Sequence, residues 1–163
     1  MNHEKKKMQT HYTPEELSEF HHHMPVQLRF NDIDILGHLN NTVYLSLYDL
    51  GKARFFEAVR GGRIDWQRVE TVIANIDCSF ISPIRFGENI EVYTRCVAIG
   101  NKSFTLEQVL IDPACDEIKS RCISVMVCID PKTQSPVEVA DDWRLALRAF
   151  QTPGTIDESP GQR

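Results

Sequence analysis

The chain contains no run of about 18 or more apolar residues, so a membrane-spanning helix is not expected. Its opening residues, Met1-Asn2-His3-Glu4-Lys5-Lys6-Lys7-Met8, lack the apolar stretch of a secretory signal, and an export leader is not expected either. Basic residues are in deficit: 18 Lys and Arg against 23 Asp and Glu leave a net charge of −5. That balance argues against broad binding to nucleic acid or anionic membrane, which needs a basic surface. It leaves room for a local cluster of Arg and Lys around one anionic ligand. No CxxC pair occurs, and the five cysteines (78, 96, 115, 122 and 128) are an odd number. Four of them fall in strand-like runs, where Cys behaves as a small hydrophobe, so reduced thiols in a cytoplasmic protein are expected. There is no internal repeat and no alternation of strand and helix such as a parallel sheet requires.

What remains is an ordinary globular composition, 42% hydrophobic and 25% charged over 163 residues, enough for one domain with its own core. Residues 1–23 are polar and His-rich and read as a weakly ordered arm, apart from a short helix announced by Thr13-Pro14-Glu15-Glu16. His21-His22-His23 could chelate a metal, but three adjacent histidines on an arm are more simply incidental. The domain proper is expected over residues 24–150, and residues 151–163, rich in Pro, Gly and acids, as a disordered tail.

From Val26 the pattern alternates: Val26, Leu28 and Phe30 against Gln27, Arg29 and Asn31, the period of a half-buried strand. A loop over 31–41 follows. Thr42–Val59 then carries Val43, Tyr44, Leu47, Leu50, Phe55 and Val59 at mostly helical spacing, a helix of about five turns ended by Gly61-Gly62. Gly51 inside it costs about 1 kcal/mol relative to Ala, a cost that close packing would explain. Four strands are predicted next. In the first, Val72, Ala74, Ile76, Cys78 and Phe80 form one face and Ile73, Asn75, Asp77, Ser79 and Ile81 the other. The others are Ile90–Ile99, Phe104–Ile111 and Ile118–Ile129, joined by tight turns, the last one buried on both faces. A short helix runs from Asp141 to about Phe150. Elements segregated in this way indicate an α+β fold, one long helix packed on an antiparallel sheet.

Chemistry concentrates in residues 29–44. Two carboxylates, Asp32 and Asp34, precede a turn through Gly37 into a helix start at Asn40-Asn41. Free N–H groups at a helix start can polarise a bound carbonyl, so a carboxylate beside them is a candidate base or nucleophile. The alternative for either acid is loop structure, since Asp in turns bonds nearby amides. His38 could act as a base or merely position the loop. Asp32, Asp34 and His38 are suitable metal donors, but no further His or Cys pair supports a metal. Asn40 is the expected cap, and Tyr44 could pack on the sheet or line a pocket. Asn75, Asp77 and Ser79, on the polar side of their strand, read as solvated surface.

Arg29-Phe30-Asn31-Asp32-Ile33-Asp34-Ile35-Leu36-Gly37-His38-Leu39-Asn40-Asn41, with Tyr44 and Leu45 following, resembles the signature of hotdog-fold acyl-CoA thioesterases of the 4-hydroxybenzoyl-CoA thioesterase type. The likeness covers about residues 25–150 and is sharpest over 29–44. It implies a curled antiparallel sheet wrapped around the long helix, and homodimers joined edge to edge, often paired into homotetramers, with sites at the subunit interface. By position, Asp34 matches the family's nucleophile or general base, and the Asn41 backbone amide matches the group that binds the thioester carbonyl. Gly37 matches the loop glycine, Asp32 a structural acid, and Gly37, His38 and Tyr44 are the expected substrate-binding residues. Relatives usually carry an acid and then an arginine further along the helix. Here Asp49 fills the first place, but Lys52 stands where arginine is usual and cannot reproduce its bidentate geometry.

The expected activity is hydrolysis of an acyl-CoA thioester to a carboxylic acid and free CoA, with no cofactor and no metal. An acyl-CoA substrate is thus the implied ligand; neither nucleic acid nor membrane is an expected partner. Its phosphates call for cations, for which Arg85, Lys102, Lys119, Arg121 and Lys132 are candidates. The alternatives are an acyl carrier protein thioesterase using the same carboxylate, or a hotdog domain that binds acyl-CoA without turning it over.

Overall fold

The computed structural model describes residues 9–64 and 70–158; residues 1–8 of the expected arm and 159–163 of the expected tail lie outside it. Helix α1 (Pro14–Ser18) begins with a capping box: Thr13 Oγ1 accepts from the Glu16 amide at 3.2 Å, and Glu16 Oε2 accepts from the Thr13 amide at 2.8 Å. The long helix α2 (Asn41–Arg60) starts where the Asn40 side chain accepts from the Thr42 amide and stops at Gly61, whose φ of 66° a side chain rarely tolerates. Its buried side carries Tyr44, Leu47, Tyr48, Gly51, Lys52 and Phe55. Leu50, expected on that face, is exposed, because the stripe steps by four from Leu47 to Gly51 to Phe55 and passes beside it.

Five strands form one antiparallel sheet in the order β1-β3-β4-β5-β2: β1 (His22–Val26), β2 (Thr71–Phe80), β3 (Ile90–Ile99), β4 (Ser103–Asp112) and β5 (Glu117–Cys128). This curled sheet around α2 is the α+β hotdog arrangement that the motif implied. Helix α2 packs over β1 and β3 on the inner face, where Val92, Leu110 and Cys122 meet Leu47 and Tyr48. A second cluster joins Phe55 to Phe104, Leu106 and Met126 and to Trp143 and Leu147 of α3 (Asp141–Phe150).

Two elements differ from the sequence expectation. The first strand lies at His22–Val26, earlier than the alternation from Val26 suggested, because its partner β3 begins at Ile90, opposite Val26. Beyond that point no ladder is available, and Phe30–Asp32 folds into a single 3-10 turn. In β2 a bulge leaves Ala74 unpaired between the Ile73↔Met126 and Asn75↔Val125 positions. Ile73, Ile76, Cys78 and Phe80 therefore share the inner face, while Val72 moves to the outer face with Asn75, Asp77 and Ser79.

Gly51 is where α2 approaches the sheet most tightly. A Cβ there would stand 2.8 and 2.9 Å from the two methyls of Val92, so close packing does account for the glycine, against a side chain. On the outer face, Tyr12 and Phe20 of the N-terminal arm cover Val109, Ile111 and Ile118. Beneath them Glu107, 1% exposed, takes Arg95 at 2.7 Å, Arg121 at 2.5 Å and the Tyr12 hydroxyl at 3.3 Å. Arg95 also pairs with Glu19 and lies 4.5 Å over the Phe20 ring. Beyond α3, Asp157 lies along β3, its amide donating to the Val97 carbonyl at 2.9 Å.

Candidate functional site

The loop between the 3-10 turn and α2 is built by backbone bonds at its base. Ile33 bridges Leu39, the Asn40 amide donates to the Asp32 carbonyl at 2.8 Å, and the Leu39 amide donates to the Ile84 carbonyl at 2.7 Å. Leu39 itself is buried, 1% exposed, so both ends of the loop are fixed to the core. Gly37 turns the loop with a φ of 76°, its amide donating to the Asp34 carbonyl at 3.0 Å.

The two carboxylates occupy different surroundings. Asp32 is 3% exposed; it accepts from the Arg29 amide at 2.8 Å and from the Arg29 guanidinium at 2.9 Å. The Arg29 hydrogen bonds hold its carboxyl below the usual carboxylate range. Both of its oxygens are taken up by Arg29. Asp34 is half-buried, and its Oδ1 accepts from the amides of Leu36 at 2.8 Å and His38 at 3.2 Å. Its Oδ2 accepts no hydrogen bond from the described residues. One oxygen is thus spent on the loop and the other is left for a ligand or water.

Asn40 caps α2, its Oδ1 accepting from the Thr42 amide at 3.0 Å and the Thr42 hydroxyl at 2.8 Å. Asn41 is the first helical residue, and its N–H is one of the orphan donors of a helix start. The His38 amide serves the Asp34 carboxylate and its carbonyl accepts from the Asp34 amide at 2.8 Å. Its imidazole makes no hydrogen bond with a described residue. Tyr44 is buried, its ring edge-on to Phe80 with centroids 4.9 Å apart, and burial raises its phenol above the ordinary value. Asp34, Gly37, His38 and Asn41 thus stand around one loop, and Tyr44 lies a turn into the helix below them.

Around this loop much apolar surface is open. Ile35 is 100% exposed, Phe30 79% and Leu36 73%, and Phe86, edge-on to Phe30, is 57% exposed. The inner face of β2 is open as well, with Ile73, Ile76 and Phe80 at 40–47%. Further along α2, well away from Asn41, a cavity of about 600 Å³ lies between the helix and β2, walled by Phe56, Ile73, Met126 and Trp143 with Lys52 and Arg60. Lys52 is buried and bonds Asp49 at 3.0 Å through a single contact, so lysine fills the charge of the usual arginine without its fork. Arg60 pairs with Glu70 at 3.2 Å and lies 4.5 Å over the Trp143 ring.

Of the candidate cations, Lys119 is buried between Glu117 and Glu88, and Arg121 is engaged by Glu107. Arg85, Lys102 and Lys132 are exposed, and Arg85 follows Ile84, the residue that pins the loop. The three histidines diverge. His21 bonds the Phe150 carbonyl at 2.7 Å, His22 turns toward Phe55, and His23 pairs with Glu91 at 2.8 Å. Among the described residues no group of three His, Cys, Asp or Glu could hold a metal ion. No helix among them is long and apolar enough to cross a membrane. The open inner face of β2 escaped the sequence reading because it follows from the Ala74 bulge and from where α2 sits.

Comparison with known proteins agrees with this architecture. The profile of the thioesterase-like superfamily matches residues 28–147. A thioesterase from Thermus thermophilus, solved with coenzyme A and zinc, superposes with a TM-score of 0.73 at 28% identity, covering 81% of this chain and 95% of that one. The long-chain acyl-CoA thioesterase FadM of Escherichia coli (strain K12) is 23% identical over 75% of this chain and 93% of its own length. YsmA of Bacillus subtilis (strain 168) is 26% identical over 50% of this chain, which spans about half (54%) of that protein.

Proposed function

The chain belongs to the thioesterase-like superfamily, and from that premise we propose that it hydrolyses acyl-CoA thioesters to a carboxylic acid and free CoA. Asp34 is the acting carboxylate and the Asn41 N–H the donor to the carbonyl oxygen. The supporting observation is the loop itself: a carboxylate with one oxygen uncommitted, tied by the Ile33–Leu39 bridge to a helix start whose first amide is an orphan donor.

A thioester carbonyl is electrophilic and its thiolate is a good leaving group, so two aids suffice. Asp34 either attacks the carbonyl carbon directly or takes a proton from a water that attacks it. In both routes the carbonyl oxygen gains negative charge opposite the Asn41 N–H, the C–S bond breaks, and the thiolate leaves to take up a proton; after direct attack the acyl group stays on Asp34 as an anhydride, which water then hydrolyses to free the acid. Arg85, beside the residue that anchors the loop, is placed to meet a phosphate of CoA.

A second copy of the chain completes the site in this reading. Strand β2 is an edge with an open apolar inner face, a surface that antiparallel pairing with the same strand of another copy would cover. Such pairing sets the Phe80 end of one β2 beside the Thr71 end of the other. Because Tyr44 of α2 touches Phe80, the start of one helix then faces the cavity of its neighbour, which Thr71 lines. The acyl group lies in that cavity. Free thiols at all five cysteines fit a reducing compartment, the cytoplasm.

The test is release of free thiol from a panel of acyl-CoAs by wild type and by Asp34→Asn. A fall of about 10²–10⁴-fold in kcat is expected for the variant, the usual share of a general base. Acyl-CoA binding without any thiol release by the wild type would replace hydrolysis with a ligand-binding role.

A further inference from the structure

The cavity assigned to the acyl group has charged walls as well as apolar ones. Among the described residues that line it, the cations Lys52, Arg60 and Arg63 stand against only two carboxylates, Asp49 and Glu70. Arg60 is committed to Glu70 and the Trp143 ring, and Arg63 forms no ion pair with a described residue. Lys52 is the unusual member. It is 7% exposed, yet its ammonium, with three donors to place, bonds only Asp49 Oδ1, at 3.0 Å. Asp49 is the outer partner, its side chain 64% exposed. We propose that Lys52 selects acyl groups that carry a free carboxylate at their far end, so that the preferred substrates are ω-carboxyacyl-CoA thioesters. The proposal rests on the acyl group occupying this cavity, as in the reading above.

A buried ammonium with unspent donors is costly unless acceptors reach it. The helix cannot supply them, since its interior carbonyls already accept from amides one turn further on. Asp49, three residues earlier on the same helix, meets the ammonium through one oxygen. A carboxylate on the ligand would take the remaining donors and leave Asp49 to water. An arginine at position 52 would close its planar fork on Asp49 as a bidentate pair. Lysine, a compact charge with rotatable donors, can serve Asp49 and a ligand at once.

The surplus of positive charge favours an anion over a neutral polar group. A plain hydrocarbon end would strip water from these cations and offer them no partner. Pairing of β2 with a second copy sharpens the choice. With the neighbour's helix start facing the cavity, its cations lose still more water, and a charge-assisted bond strengthens as the surroundings dry. Phe56, Ile73, Met126 and Trp143 give the methylenes between thioester and carboxylate an apolar wall. The cavity volume of about 600 Å³ lies inside the span of small-molecule sites, about 300–1,000 Å³.

The experiment compares thiol release by the full-length protein from ω-carboxyacyl-CoAs, glutaryl- to sebacoyl-CoA, with release from the methyl-ended acyl-CoAs of equal carbon number. At the best length, kcat/KM is expected to favour the carboxylate-ended substrate about 10–100-fold, the usual worth of a hydrogen bond to a charged group. Lys52→Met should bring the ratio of the pair to about one. Asp49→Asn, which removes the competing carboxylate, should widen it. Equal kcat/KM for both series in wild type, or a preference for the methyl end, overturns the proposal whether or not the variants fold. A ratio that survives in folded Lys52→Met does so too, and so does one that narrows in Asp49→Asn. Hydrolysis of neither series would sink the hydrolase reading instead. The intact thioesters then serve as ligands, and their dissociation constants by calorimetry decide the selectivity by the same comparison.

Discussion

Gly51 of α2 and Val92 of β3 meet so closely that a single added methyl has no room: a Cβ on Gly51 would lie 2.8 Å from one Val92 methyl and 2.9 Å from the other. Gly51→Ala removes a helix penalty of about 1 kcal/mol but overpacks the helix–sheet contact at about 1–3 kcal/mol. Net destabilisation of up to about 2 kcal/mol is expected in urea denaturation. Val92→Ala in the same chain should recover part of it by clearing the space. An increase in stability for Gly51→Ala alone would mean that the sheet yields freely there.

The Asn41 amide can be removed without disturbing the helix, because proline is tolerated at a first helical position. Asn41→Pro is expected to lower kcat for thioester hydrolysis by about 10²–10³-fold, the usual worth of one oxyanion donor. Asn41→Ala keeps the N–H and should stay close to wild type. Circular dichroism of both variants checks that α2 is intact, and equal rates in the two would remove the amide from the reaction.

The Arg29–Asp32 contact makes folding depend on acid in a defined direction. Asp32 is held below its ordinary value of 3.8, so above that value the unfolded and folded carboxyls are both ionised and the stabilisation is complete. As pH falls below 3.8 the unfolded chain takes the proton first, and the stabilisation drains away through the lower folded value. Asp32→Asn is therefore expected to be less stable than wild type at pH 7, with the gap closing in strong acid. Denaturation midpoints across pH 2–7 check this, and a gap that widens toward acid would contradict it.

Arg95 holds three things at once: the buried Glu107 carboxylate, Glu19 and the Phe20 ring. Arg95→Leu leaves Glu107 short of a partner and is expected to cost about 3 kcal/mol, the scale for breaking a buried pair. The same change should loosen the arm, so limited proteolysis is expected to cut within residues 9–20 sooner than in wild type. Unchanged cleavage with lowered stability would confine the role of Arg95 to the sheet.

The sequence was most readable where one residue type closes an element. Asn40 and Gly61 bound α2, and the turns at 100–103 and 113–116 separate β3, β4 and β5. Legibility failed where pairing decides. Nothing in Val72-Ile73-Ala74-Asn75 says which residue drops out of the ladder, and His22–Val26 hides a strand behind histidines. At the candidate site, the loop residues and the cap were visible in their spacing. The half-free Asp34 carboxylate, the Tyr44–Phe80 contact and the open wall of β2 depend on atoms brought together from distant parts of the chain.

The arm over the outer face also bears on how the chain comes into being. Tyr12 reaches Glu107 across 95 residues of sequence, so a segment made early in synthesis has no seat until β4 and β5 have left the ribosome. During that interval Tyr12, Leu17 and Phe20 await their partners, and the outer wall, once it forms, is bare until they arrive. Such distant pairing closes slowly. Ordering of the arm should therefore trail assembly of the sheet in refolding, as the last event of maturation.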